Sequence, residues 1–354
     1  MKTNIPERIA ALREAMRQQK VDAYIIPSSD PHLSEYPADR WKSREWISGF
    51  TGSAGTIVVT ADKAGLWTDS RYFLQAASQL EGSGIELYKL ALPETPSITE
   101  FLLHELHAGQ AVGLDGQTYS AAEASALANK LSRKEIKLDT SADLIEGIWK
   151  DRPAVPGNPI FEMPEALSGA SVHEKLDLIN NQLRSEGADC LILAALDEIA
   201  WTFNIRGTDV TYNPVVVSYA FVSEDESVLF IKPEKLTAEI TEHLKKEGVT
   251  LAEYSMIQRY LSRLPENSRV FVDMNKTNVS LYDAIPGSCT IVEGISPANH
   301  LKSIKNETEI KGFQNAVVKD GVALTKFYIW LEKQMADCNG MCISCDSAHS
   351  LKVV

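Results

Sequence analysis

The stretch from Trp67 to Phe73 holds the residues that are most suggestive of a functional site. Asp69 is a good N-cap for a helix, which would place Arg71 in the first turn. The helix dipole opposes a cation there at a cost of about 0.3–1 kcal/mol. The residues alone favour a surface arginine paired with Asp69.

The glycine-rich stretch Gly49–Gly55 is a candidate phosphate loop. Such loops lead into the N-terminus of a helix, and a P-loop adds a lysine before Ser or Thr. Here the glycines lead into Thr56-Ile57-Val58-Val59, which is typical of a strand. The sequence therefore favours a tight turn that enters a strand over a phosphate site.

His104 and His107 are three residues apart on a predicted helix. Two histidines do not make a metal site without further ligands, so an exposed helix surface is the favoured interpretation. No Gly-x-Ser-x-Gly elbow occurs, and no Ser, His and Asp trio can be argued from spacing.

The last seventeen residues hold three of the five cysteines, Cys338, Cys342 and Cys345. With His349 they could bind an iron–sulfur cluster or zinc. Little chain surrounds them, and the composition changes abruptly here, so an artefactual or divergent end is the favoured interpretation. Cys190 and Cys289 lie in apolar, strand-like runs and are expected to be buried thiols, which fits a reducing compartment.

These candidate residues must be positioned by alternating helices and strands. Ser97 and Ser120 each begin a capping box that predicts a helix, and Asp62-Lys63 is the predicted turn of a hairpin. A shift of 167 residues overlays Ala23–Ile26 on Cys190–Leu193, with helix-like patterns before both. A chance overlap of helix-to-strand patterns remains open, but two similar α/β domains are the favoured interpretation.

Four prolines between Asp151 and Pro164 predict a linker between these two domains. A long amphipathic helix is predicted to begin near Asn306, with a stripe that includes Ile310, Phe313 and Val317. Such a helix needs a partner surface.

Composition excludes several classes of protein. The 354 residues are 44% hydrophobic and 23% charged, as in an ordinary soluble globular protein. The net charge of −13 makes a nucleic-acid partner improbable, because such a surface repels phosphate. No apolar run approaches the roughly 18 residues that span a bilayer, and the N-terminus lacks an apolar signal core. We therefore expect no membrane partner and a cytoplasmic location.

Several motifs together resemble a known family, the cytosolic Xaa-Pro aminopeptidases of the long three-domain type. The resemblance extends from near the start to about residue 335. The motifs that carry it are Ser48–Thr56, Leu66–Ala76, Ile148–Pro153, Ala195–Trp201, Asn204–Gly207, Asn213-Pro214 and Trp330–Lys333.

The resemblance implies an α/β fold with two similar creatinase-N-like domains in tandem, plus the first helix of a missing pita-bread catalytic domain. The expected divisions are residues 1–150, the linker 151–164, the second domain 165–302, the first catalytic-domain helix 303–335 and a divergent Cys-rich tail 336–354. A frameshift or a truncated gene model would explain that tail.

The resemblance also implies a function. Such enzymes release the N-terminal residue from short peptides with proline second, use two manganese ions and are expected to be homodimers. This chain lacks the expected metal ligands, so we expect no cofactor in it and no activity alone. Arg71 is the one site residue that the resemblance carries over, as a contact to the substrate. The alternative is a non-catalytic peptide- or protein-binding module of the same fold.

Overall fold

The computed structural model describes residues 4–337 and divides into two compact units. The first unit runs to Glu162 and resumes from Val172 to Lys302, and the second contains Met163–Ser171 and the chain from Ser303 onward. The first unit itself has two halves, each built around one six-stranded sheet.

The first half, residues 4–150, folds around a sheet with strand order β4-β3-β2-β1-β5-β6. Strand β1 pairs antiparallel with β2 and parallel with β5, so the sheet is mixed. Its strands are β1 (Ala23–Ile26), β2 (Thr56–Thr60), β3 (Ala64–Thr68), β4 (Glu86–Lys89), β5 (Ala111–Leu114) and β6 (Lys137–Asp139). Its helices are α1 (Ile5–Gln19), α2 (Ser43–Ser48), α3 (Phe73–Gln79), α4 (Ile98–Glu105), α5 (Ala121–Ser132) and α6 (Leu144–Ile148).

The second half, residues 151–302 of the first unit, repeats this plan with strand order β12-β11-β10-β8-β13-β14. A separate two-stranded sheet pairs β7 (Phe161–Glu162) with β9 (Ile205–Arg206). The other strands are β8 (Cys190–Leu193), β10 (Ser218–Ser223), β11 (Ser227–Ile231), β12 (Val249–Ala252), β13 (Arg269–Val272) and β14 (Thr290–Glu293). The helices are α8 (Val172–Ser185), α9 (Leu196–Thr202), α10 (Ala238–Lys246), α11 (Ile257–Leu261), α12 (Val279–Asp283) and α13 (Pro297–Ser303).

The two sheets confirm the internal repeat. Strand β1 coincides with the predicted Ala23–Ile26 and β8 with Cys190–Leu193, each after a helix and at the same place in its sheet. Apolar clusters lie on both faces of each sheet. Each half therefore has its own core, as expected for an independent α/β layer structure.

The two halves meet through a contact with pseudo-twofold symmetry, in which equivalent residues of each half make equivalent hydrogen bonds. Ser120 and Asn278, which cap the equivalent helices α5 and α12, form an antiparallel bridge. The surrounding backbone hydrogen bonds occur in two reciprocal pairs, as in an isologous interface between identical subunits. The first pair is Ala121 N–H to Thr277 O and Val279 N–H to Tyr119 O, and the second is Ala122 N–H to Met274 O and Ser280 N–H to Gly116 O.

The second unit contains α7 (Glu165–Ser168) and the 31-residue α14 (Glu307–Asp337). Asn306 caps α14, since its Oδ1 accepts from Glu309 N–H at 2.9 Å, and its side-chain amide donates to Ser168 O at 2.8 Å. The predicted apolar stripe is present and exposed at Ile310, Phe313 and Val317.

Some local predictions were wrong. Helix α4 ends at Glu105, so His107 lies beyond it. Asp69 is the N-cap and Arg71 lies in the first turn, as predicted, but that turn is a single 3-10 turn, Ser70–Tyr72, and the α-helix begins only at Phe73. Cys289 is half-buried rather than buried. The cluster of Cys338, Cys342, Cys345 and His349 lies outside the described residues.

Candidate functional site

Arg71 lies on the surface of the first half, directly after β3. Its side chain is 65% exposed. Its Nε donates to Asp69 Oδ1 and its Nη2 to Asp69 Oδ2, both at 2.8 Å. This two-pronged ion pair raises the pKa of Arg71 and lowers that of Asp69. The arginine is charged at any physiological pH and is paired with its own capping residue.

Tyr72 joins this turn to the glycine-rich loop. Its hydroxyl is 2.6 Å from Ser53 Oγ, and the Arg71 guanidinium lies 5.2 Å from the centre of its ring. Gly52 packs closely beneath it, because a Cβ there would overlap the Phe50 ring and lie 2.7 Å from Tyr72 Cδ1. The loop and Tyr72 together form a firm support for Arg71.

Arg44, from α2, holds the glycine-rich loop from inside. Its buried guanidinium donates to Phe50 O at 2.6 Å, to Gly52 O at 2.5 Å and to Ser28 Oγ at 2.7 Å. Burial lowers its pKa to about 10. No spacing in the sequence singled out Arg44, because an arginine on a short helix is usually exposed.

The loop does not have the form of a phosphate cradle. It leads into β2, as predicted, and not into a helix. The carbonyls of Phe50, Gly52, Ala54 and Gly55 all accept hydrogen bonds, from Arg44, Thr68 and Ser28. The fold thus ties the loop to the body of the first half.

A cleft of about 630 Å³ opens beside this loop, where the first half meets the second. It is rich in hydroxyl groups, among them Ser34, Ser53 and Thr118, and Glu35 and Lys276 bring opposite charges to it. Glu35 adds a small upward contribution to the pKa of Arg71, after the larger contributions of Asp69 and Tyr72. Peptides present donors, acceptors and both charges, so such a lining suits them better than a purely apolar ligand.

The described residues do not provide a metal centre. Across residues 4–337, no three His, Cys, Asp or Glu side chains are grouped so that they could hold a metal ion. His104 is exposed and bonded to Glu105 Oε1 at 2.9 Å. A pair of catalytic metals does not fit this part of the chain. Within the same residues, no helix is long and apolar enough to cross a membrane.

Comparison with known proteins assigns both halves of the first unit. The model of the creatinase/prolidase N-terminal domain matches residues 8–148, and a second model of the same description matches residues 151–309. The chain belongs to the creatinase/prolidase N-terminal domain family. It contains two such domains in tandem, as the sequence predicted.

Two curated relatives named "Probable Xaa-Pro aminopeptidase P" illustrate what the chain is similar to. The Botryotinia fuckeliana protein is 39% identical over 342 residues, covering 94% of this chain and 52% of its own length. That of Penicillium rubens is 36% identical over 356 residues, with 98% and 58% covered. The chain therefore spans about half the length of the curated relatives it matches.

A solved structure agrees with this relationship. The X-prolyl aminopeptidase of Caenorhabditis elegans, described as a cytosolic enzyme with a dinuclear active site, superposes with a TM-score of 0.89 at 29% identity. The match covers 95% of this chain and 57% of that protein.

Proposed function

We propose that this chain is the N-terminal portion of an Xaa-Pro aminopeptidase, a metalloaminopeptidase that releases the N-terminal residue before proline. The observation that carries the proposal is the match of 93–98% of the chain to 51–58% of Xaa-Pro aminopeptidases P. In this proposal the two metal ions, manganese in similar enzymes, and their ligands belong to the part of the relatives that the chain does not cover.

The chain alone is then inactive. The test is to incubate the purified 354-residue chain with manganese and an Xaa-Pro-Pro tripeptide and to measure release of the first residue. No turnover is expected, because metal-assisted hydrolysis needs ions held in a shaped site. Turnover with stoichiometric manganese would refute this part of the proposal. Peptide binding without turnover, in an assay of the chain alone, would favour the non-catalytic binding module.

Arg71 is proposed to contact the peptide substrate. An exposed guanidinium on a firm support, beside a cleft rich in polar groups, can exchange its bond to Asp69 for a carboxylate or carbonyl of a peptide. Loss of such a contact in a closed complex is expected to lower kcat/KM on the order of thirtyfold or more.

The assay needs residues 1–335 joined to the remaining part of the Botryotinia fuckeliana relative. Arg71→Ala is compared with Arg17→Ala in that chimera, because Arg17 is also an exposed arginine in an ion pair, with Glu14. Arg71→Ala should lose activity on a peptide with proline second, and Arg17→Ala should not. Equal kcat/KM in both variants would return Arg71 to the role of a surface arginine.

We also propose that residues 1–150 and 165–302 are separate domains and that 303–335 is the first helix of the catalytic domain. Limited proteolysis should cut within 151–164, where four prolines disfavour regular structure. Deleting residues 303–354 should raise solubility or reduce self-association, because the apolar stripe of α14 is exposed. Unchanged solubility and oligomeric state would contradict the idea of a helix that lacks its partner.

The full-length protein is proposed to be a cytoplasmic homodimer that acts on short peptides and binds neither nucleic acid nor membranes. The net charge of −13 and the absence of phosphate-cradling geometry in the loop support the exclusion of nucleic acid. Sedimentation of the chimera at several concentrations tests the dimer, and a single monomeric species would contradict it.

A further inference from the structure

A tight turn of the first half, Asp30–Ser34, inserts into the second half. Asp30 organises it, since its Oδ1 accepts from the backbone N–H of His32 at 2.9 Å and of Ser34 at 3.0 Å. Leu33 adopts a left-handed conformation with φ of 54°. This strained backbone persists only because its surroundings fix it.

His32 is the residue at the centre of the insertion, and it is 2% exposed. Its Nδ1 lies 2.9 Å from Ala194 O and its Nε2 lies 2.9 Å from the hydroxyl of Tyr254, both in the second half. A carbonyl oxygen can only accept, so Nδ1 carries the proton and Nε2 accepts from Tyr254. A neutral imidazole therefore satisfies both of its nitrogens across the junction.

The turn and the reciprocal contact form one network. Pro31 O accepts from Asn278 Nδ2 at 2.7 Å and from the Tyr219 hydroxyl at 3.2 Å. Asn278 is the residue whose backbone bridges to Ser120. The His32 ring also packs on Tyr219, with 4.4 Å between ring centres. Movement of His32 would thus disturb the hydrogen bonds that join the halves.

The surroundings of His32 disfavour its charged form. Burial has the largest effect and lowers the pKa of His32. Asp30 in the same turn, the hydrogen bond to Ala194 O and Asp209 of the second half raise it, Lys235 of the second half lowers it, and the net shift is downward. The remaining titratable groups that contact the ring are the phenols of Tyr219 and Tyr254, whose own pKa values burial raises. Both phenols stay neutral at physiological pH.

We propose that the Asp30–Ser34 turn is a proton-sensitive latch, which holds the two halves together while His32 is neutral and releases them when His32 is protonated. Each sheet remains folded on release, because each half has a core of its own. The latch involves only residues of the first unit and does not depend on the aminopeptidase function.

The direction of the pH effect follows from linkage. In the released state His32 has an ordinary pKa of about 6.5, and in the latched state a lower one. Release therefore takes up a proton, and its equilibrium constant rises up to tenfold for each pH unit below about 6.5, until the lower pKa is reached. Asp115, at the end of β5, has a pKa raised to about 7 by burial and by Asp143, so it acts with the opposite sign. A comparison of variants that all retain Asp115 removes its contribution.

The main experiment is amide hydrogen exchange of the 354-residue chain between pH 7 and 5, with rates corrected for intrinsic exchange. The reporters are Ala121, Ala122, Val279 and Ser280, whose amides join the halves. The β2–β3 amides serve as an internal reference. Protection of the reporters should fall more steeply with decreasing pH in the native chain than in His32→Gln, by up to tenfold per pH unit. His104→Gln, at an exposed histidine, should behave like the native chain.

Equal pH dependence in the native chain and His32→Gln would overturn the latch, as would equal loss of protection in the β2–β3 reference. If His32→Gln does not fold, an NMR titration of the native chain provides a second test. Imidazole resonances of the histidine-labelled native chain should show His32 titrating below its ordinary value of about 6.5, together with the loss of reporter protection. Titration of His32 at or above about pH 6.5 would also overturn the proposal.

Discussion

The turn after β3 in the first half and the turn after β11 in the second half each hold an ion pair, with the acidic and basic residues in exchanged positions. The strand pairings identify equivalent positions in the two halves. In the first half Ile57 of β2 pairs with Ile26 of β1 and Leu66 of β3. In the second half Ala220 of β10 pairs with Leu193 of β8 and Leu229 of β11, so Leu66 and Leu229 are equivalent. Both third strands lead into a 3-10 turn, Ser70–Tyr72 in one half and Pro233–Lys235 in the other. The first turn has the ion pair Asp69–Arg71 and the second has Lys232–Glu234, with the signs exchanged.

The next residue of each turn shows what the fold requires. In the first half Tyr72 binds Ser53 through exposed hydroxyls, and in the second half Lys235 binds Asp209 in a fully buried ion pair. Both contacts tie the loop before the second strand to the turn after the third. The fold thus requires a side-chain contact between this loop and this turn, but the contact can be a hydrogen bond or an ion pair. The contact between Tyr72 and Ser53 is exposed to solvent, where a ligand could reach it, whereas the contact between Lys235 and Asp209 is buried.

The largest expected loss of stability follows from breaking the buried ion pair between Lys235 and Asp209. Lys235→Met leaves the carboxylate of Asp209 without its partner and is expected to destabilise the second half by about 3–5 kcal/mol. Denaturant unfolding followed by tryptophan fluorescence measures it. The double variant Lys235→Met with Asp209→Asn should recover most of the loss, because no charge is then buried and the amide oxygen still accepts from Val217 N–H. A double variant as unstable as the single one would show that the pair is not the tie.

Arg44→Met is expected to cost about 2–4 kcal/mol in the first half, because the carbonyls of Phe50 and Gly52 lose their buried donor. Arg17→Met, at an exposed arginine, is the matched control. The same unfolding assay applies. If both variants unfold at the same denaturant concentration, the guanidinium does not hold the loop.

Gly52→Ala tests the close packing under Tyr72. The added Cβ overlaps the Phe50 ring, so a loss of about 1–3 kcal/mol is expected. Gly147→Ala is the contrasting control, because Gly147 lies in α6 with open space around it and should gain about 0.5–1 kcal/mol. Thermal unfolding should therefore shift in opposite directions. A shift in the same direction would contradict the packing argument.

The smallest effects are expected at the two exchanged ion pairs. Arg71→Ala and Glu234→Ala each remove an exposed partner, whose interaction is screened by water. Neither should move the midpoint of unfolding measurably. A clear loss for Arg71→Ala alone would mean that the first half uses Arg71 for stability.

The sequence was sufficient for many regular elements of the first half and for the first strand of the second half. Capping serines at 97 and 120, the hairpin at Asp62-Lys63 and the overlay of the two first strands depend on neighbouring residues, and the structure has all of them. Periodicity and caps are local signals, so one copy of a domain is enough to detect them.

The buried charged residues could not be predicted in this way. His32 bonds to Ala194 and Tyr254, and these partners lie 162 and 222 residues away. Lys235 and Arg44 belong to polar segments that are usually exposed. Only the tertiary fold brings their partners to them. Arg71 was singled out through the resemblance, and its contact with a substrate remains a prediction.

The reciprocal contact also has a consequence for assembly. Because the four hydrogen bonds around Ser120 and Asn278 are the same from both sides, the first half of one copy can close on the second half of another. The residues from 151 to 164 keep the two halves of one chain at a high local concentration, which favours closure within the chain. That advantage falls as the concentration of opened chains rises, so closure between two chains then competes with closure within one. A contact inherited by two similar domains is then both the junction of a monomer and the route to a domain-exchanged pair.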